Sequence, residues 1–119
     1  MAYSEPYDAI DEQTRDISRA ITSLREELEA IDWYNQRVNT TTDQELKDIM
    51  AHNRDEEIEH AVMEFEWLRR NVEGFDENMK TYLFTEGSLL EVEEQATGAE
   101  GSAGSEGPKP GMTIGNLKN

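Results

Sequence analysis

A chain of 119 residues with 27 acidic against 11 basic side chains, a formal net charge of −16 and no cysteine excludes several functions at the outset. Nucleic-acid phosphates are repelled by such a surface, and without thiolates there is no disulfide framework, iron–sulfur cluster or rubredoxin-type centre. The length suits one domain, 35% hydrophobic content is low, and the absence of a basic-then-apolar leader or a membrane-long apolar run sets the expectation of a cytosolic protein that touches no membrane.

Residues 1 to about 7 are expected to be loosely ordered, with Pro6 near the entry to the first helix. From about residue 8 to 38, Ile10, Ile17, Ile21, Leu24, Leu28, Ile31 and Val38 recur at intervals of three, four or seven. That spacing predicts an amphipathic helix about 45 Å long. Glu27 lies on the edge of its apolar stripe, with Ala20 and Tyr34 seven residues to either side, so this carboxylate looks toward a core. Asn39 and the threonines after it predict a break, and Thr42-Asp43-Gln44-Glu45 reads as a capping box with Thr42 as the cap. The second helix is expected over about 43–71, ending on Arg69 and Arg70, whose charge meets the negative end of the helix dipole. So short a connection makes the two helices antiparallel neighbours.

A short third helix over about 75–85 follows Gly74 and carries Phe75, Met79, Tyr82 and Leu83. These elements make a helical domain of residues 1–97. Residues 98–111, composed largely of Gly, Ser, Ala, Glu and Pro, predict a flexible linker, because they cannot bury enough apolar area to offset their ordering entropy. Met112 to Lys118, within the segment 112–119, then returns to apolar alternation. On pattern alone this is either a docking peptide on a tether or an ordinary disordered end.

On the second helix Leu46, Met50, Asn53, Glu57, His60, Glu64, Trp67 and Leu68 share one stripe, apolar at both ends and polar in the middle. Glu57 and His60 stand three apart, one above the other on that face. A buried carboxylate without a partner costs several kcal/mol, roughly, so the polar middle calls for a cation. Two helices cannot enclose a core, and association is expected. Di-iron carboxylate bundles place one Glu on each of two helices and a Glu-x-x-His on each of the other two; Glu27, Glu57 and His60 supply half of that set. The expected fold is therefore all-α, an antiparallel two-helix hairpin plus a short C-terminal helix, pairing with a second chain into a ferritin-like four-helix bundle. Carboxylate-rich ligands with one imidazole per ion suit iron or manganese, while calcium and magnesium can occupy the oxygen ligands without chemistry. Two alternatives stay open from the residues: a helical adaptor that dimerises without metal, and a peroxide-reducing di-iron bundle.

The runs Glu26-Glu27-Leu28-Glu29-Ala30-Ile31-Asp32-Trp33-Tyr34, Ala51-His52-Asn53-Arg54-Asp55-Glu56-Glu57 with Glu59-His60, Glu66-Trp67-Leu68-Arg69-Arg70 and Thr81-Tyr82-Leu83-Phe84-Thr85-Glu86-Gly87 resemble the encapsulated ferritins. The resemblance implies a ferroxidase that oxidises Fe(II) at a site holding two irons per subunit pair, with dimers arranged in a ring of ten. It implies Glu27, Glu57 and His60 as ligands, Tyr34 close to the centre, and Glu26 and Glu29 as a separate acidic entry site where calcium or another divalent cation can also bind. Trp33 points away from the hairpin core, toward a neighbouring subunit, and Glu64 reads as an outer acid of the centre. The tail Met112 to Lys118 is similar to the peptides by which cargo proteins dock in encapsulin shells, which implies an encapsulin partner, mineralisation of the iron within that compartment, and a location inside it.

Overall fold

The computed structural model describes residues 3–101 and the side chains of residues 3–98. The expected docking peptide Met112 to Lys118 and most of the expected linker lie outside the described residues. Every regular element among the described residues is helical: a single 3-10 turn at Tyr7–Ala9, then α1 (Glu12–Thr40), α2 (Gln44–Asn71), α3 (Phe75–Tyr82) and α4 (Leu89–Gly101). No described helix is long and apolar enough to cross a membrane. The chain divides into two compact units after Leu68.

Helix α1 begins later than its hydrophobic spacing predicts. Asp11 is the cap, its side chain accepting from the Thr14 N–H at 2.8 Å, which satisfies one of the donors left free in the first turn. The residues before it form a separate turn held by Arg15, which donates to the Tyr7 carbonyl at 2.7 Å and lays its guanidinium 3.8 Å from the centre of the Tyr7 ring. At the other end the helix passes through Asn39 and stops at Thr40, where Thr41 turns extended and its N–H reaches back to Arg37.

Asp43, not Thr42, caps α2. Its carboxylate accepts from the Leu46 N–H at 2.9 Å, while its own N–H donates to Thr41 Oγ1 at 3.2 Å. Aspartate caps better than threonine and adds charge at the positive end of the helix dipole. Asp43→Ala is therefore expected to cost about 1 kcal/mol in a thermal melt of the metal-free protein, with Thr42→Ala shifting the melt far less.

In the first unit α1 and α2 run antiparallel, as the cross-helix contacts require: Asn35 meets Arg54 at 3.0 Å, and further back along α1 Glu27 meets His60, further along α2. The buried hydrophobic side chains of this unit are Leu24, Ala61 and Leu68. Leu28, Trp33, Ile49, Ile58, Val62 and Met63 remain substantially exposed on the same hairpin.

The second unit contains α3 and α4, which pack on one another. Gly74 enters α3 with φ +98 and accepts from the Asn78 side chain at 2.8 Å; a Cβ is disfavoured at that φ. Lys80 and Arg69 both pair with Asp76 and hold its carboxyl below the usual range. Helix α3 ends at Tyr82, short of residue 85, because Leu83 turns extended and the Thr85 hydroxyl donates to the Tyr82 carbonyl at 2.6 Å. Helix α4 is an element that periodicity did not predict. It starts behind Ser88, whose hydroxyl accepts from the Glu91 N–H at 3.4 Å, and continues through Gly98 to Gly101, into the segment expected to be linker.

Candidate metal centre

The sequence places Glu27 in the middle of α1 and Glu57 with His60 in the middle of α2, and the antiparallel crossing brings the three together. His60 Nδ1 lies 3.4 Å from Glu57 Oε1 and 3.8 Å from Glu27 Oε1. One ligand atom from each residue can be chosen so that all lie within 4.8 Å of one another, and this is the one such group of three found among the described residues. The side chains of Glu27 and Glu57 are largely covered, 20% and 27% exposed, whereas that of His60 is 45% exposed. The cluster thus opens at the histidine, on the surface of the hairpin.

Its electrostatics are those of a site short of positive charge. The ion-pair partner of both Glu27 and Glu57 is His60, which carries charge only when protonated. Glu27 is pushed from 4.5 up to about 7, first by a shared hydrogen bond with Glu57, then by burial, then by a hydrogen bond with Glu64 and the like charges of Glu64 and Glu57. Glu64 Oε1 is sealed from solvent with no donor reaching it. Carboxylate oxygens crowded together, one of them without a donor, and an imidazole nitrogen beside them form a donor set that fits a divalent first-row ion preferring hard ligands, such as iron or manganese. With no thiolate present, a structural zinc site of the usual type does not fit.

The other residues singled out in the sequence lie elsewhere. Tyr34 is half-buried two turns along α1 from Glu27, and Arg37 sits 5.6 Å from the centre of its ring and 5.9 Å from that of the exposed Trp33. Glu26 and Glu29 are exposed on α1 and are not members of the cluster. The second histidine, His52, is an exposed partner of Glu56 at 3.2 Å.

Two features were not legible in spacing alone. One is the closeness of Glu64 to Glu27, which the helical stripe on α2 hints at without showing. The other is an open cleft of about 520 Å³ beside it, lined by Asp16, Arg19, Ser23, Met63, Glu64 and Trp67. A larger open cleft, about 780 Å³, surrounds the turn between α2 and α3 in the second unit. Its Asp76 is already neutralised by Lys80 and Arg69, so its chemistry is that of a salt-bridged turn.

A helical hairpin gathering two carboxylates and an imidazole at mid-length defines a protein of ferritin-like type. The sequence profile of the EncFtn-like family matches residues 2–86, and the chain belongs to that family, the encapsulated ferritins. It is 55% identical over 100 residues to the encapsulated ferritin-like protein of Rhodospirillum rubrum, a match that covers 84% of this chain and 71% of the relative. It is 32% identical over 112 residues to the encapsulin nanocompartment cargo protein EncC of Myxococcus xanthus, covering 87% of this chain and 85% of that one. A crystal structure of a protein from Nitrosomonas europaea superposes with a TM-score of 0.72 at 58% identity, over 74% of this chain and 98% of that chain.

Proposed function

We propose that this protein is a ferroxidase, in which two chains pair and complete a di-iron site from two copies of Glu27, Glu57 and His60. The convergence of these three side chains on one open face of the hairpin is the observation that carries this reading. A second hairpin laid on that face makes a four-helix bundle and sets four carboxylates and two imidazoles around two substrate irons. Two divalent ions balance four carboxylates, which removes the charge deficit of the separate chain.

In this site Glu27 and Glu57 hold Fe(II) through hard oxygen atoms and bind the Fe(III) product more strongly still, favouring loss of the electron to dioxygen or peroxide. His60 supplies the nitrogen ligand, and its second ring nitrogen is left to an orienting acceptor. Tyr34 packs near the centre, and the exposed pair Glu26 and Glu29 gathers cations, iron or calcium, on the approach. The pairs assemble into a ring of ten. Met112 to Lys118 docks the ring inside an encapsulin shell, where the oxidised iron is mineralised, as the names of the Rhodospirillum and Myxococcus relatives suggest for proteins of this kind.

Native mass spectrometry during anaerobic Fe(II) titration, followed by the absorbance change on admitting air, tests the proposal. Two irons per subunit pair with fast oxidation is the expected result. Assembly indifferent to iron, with oxidation at the protein-free rate, rejects it in favour of a metal-free dimerising adaptor. Deleting residues 112–119 is expected to abolish co-assembly with the shell protein while leaving oxidation intact.

A further inference from the structure

Glu64 stands seven residues after Glu57 and four after His60 on α2, so it shares their face, one turn further along. There its carboxyl stands near that of Glu27, whose proton affinity it raises together with Glu57. Its Oε1 is shut off from solvent and accepts from no donor. The nearest turns of α2 on this face hold the buried Ala61 and Leu68, surroundings that an uncharged side chain of similar size suits better. A buried acceptor without a donor destabilises a fold, so stability does not account for a carboxylate here. A cation does. Glu64 also lines the open cleft with Asp16, Arg19, Ser23, Met63 and Trp67; Arg19 is paired there with Asp16 and Glu12, which leaves an ion a way to the Glu64 side chain from outside the trio.

We propose that Glu64 is a further iron-holding carboxylate, sharing a divalent ion with Glu27 on the cleft side of the Glu57–His60 pair. The proposal rests on reading the trio as a metal site. In it, an ion entering by the cleft meets Glu64 and Glu27 before Glu57 and His60. Glu27, between two carboxylates, is the ligand common to both positions.

The test is an anaerobic Co(II) titration by calorimetry on the full-length protein and on E64Q and H60A, with thermal melts of each metal-free protein. For E64Q we expect Co(II) binding about tenfold weaker and a metal-free melting temperature a few degrees higher, because an orphaned charge has been removed. A merely space-filling Glu64 gives the opposite pair, unchanged affinity and an unchanged or lower melt, and unchanged Co(II) affinity in E64Q overturns the proposal whatever the melt shows. If E64Q does not fold, E64M, which removes the carboxylate on a side chain of similar length, is read by the same criterion. H60A separates the two ideas: weakened binding there with wild-type binding in E64Q leaves the trio standing and rejects Glu64. Wild-type binding in H60A with weakened binding in E64Q rejects the trio and keeps the Glu64 position.

Discussion

Glu27→Ala is expected to reduce iron oxidation to the rate of protein-free buffer, and His60→Ala to do the same, while far-ultraviolet circular dichroism shows the helices intact. The loss is large because each chain gives few groups to the site and Glu27 is common to both positions proposed for the ion. Removing Glu27 deletes the ligand that α1 gives from each chain and leaves only Glu57 and His60 of α2 from the two chains, halving the carboxylates of the trio. A loss of about a hundredfold or more in the initial rate is the expected scale. The fold itself is unharmed, since Glu27 donates nothing to the hydrophobic core of Leu24, Ala61 and Leu68. Relieved of a carboxyl crowded by Glu57 and Glu64, the metal-free variant is expected to melt slightly higher than the parent. Tyr34→Phe keeps the ring under Arg37 and is expected to retain most activity. Stopped-flow oxidation across the three variants reads these effects, and full turnover in both Glu27→Ala and His60→Ala rejects the site.

The second large effect is on pH. Glu27 is raised from 4.5 to about 7 by its hydrogen bond with Glu57, burial and Glu64, so in the folded, metal-free chain it keeps its proton over a range where an unfolded chain has lost it. That contribution to stability is fully present below about 4.5 and disappears as pH rises through about 7. Metal binding has the opposite sign, because a ligand carboxylate must be free of its proton. At pH 6 Glu27 is mostly protonated, and at pH 8 mostly ionised. With two copies per pair, divalent-metal affinity is expected to rise by up to about a hundredfold over that interval, while the metal-free melting temperature falls. Calorimetric Co(II) titrations and melts at pH 6 and 8 check both. In Glu27→Gln the downward slope of the metal-free melt is expected to flatten.

How far these properties were legible in the amino-acid order differs from element to element. The two long helices were, because Ile17, Ile21, Leu24, Leu28 and Ile31 repeat with the helical period over a length that no strand shares. The trio was legible for the same reason: Glu57 and His60 are fixed to one face by their spacing, and Glu27 interrupts the facing stripe at matching depth. Boundaries were less so. Both Thr42 and Asp43 can cap α2, and the choice depends on how the Thr41 hydroxyl folds onto the backbone. Helix α4 had its signal in Ser88-Leu89-Leu90-Glu91, a capping box, but the glycines and serines that follow outweigh it in composition. The approach of Glu64 to Glu27 depends on the lateral fit of two helices, which periodicity does not report.

The shortage of positive charge around Glu27 and Glu57 has one more consequence, in ionic strength. Most charged interfaces between chains join opposite signs and weaken when salt is added. In the proposed pair, two hairpins meeting at this face bring like charges together, and the screening length falls from about 8 Å at physiological ionic strength to about 3 Å at 1 M. Added sodium chloride should therefore strengthen association of the metal-free protein, and lose that influence once divalent ions are bound. In sedimentation, salt is expected to act as a weak, unspecific substitute for the proposed iron.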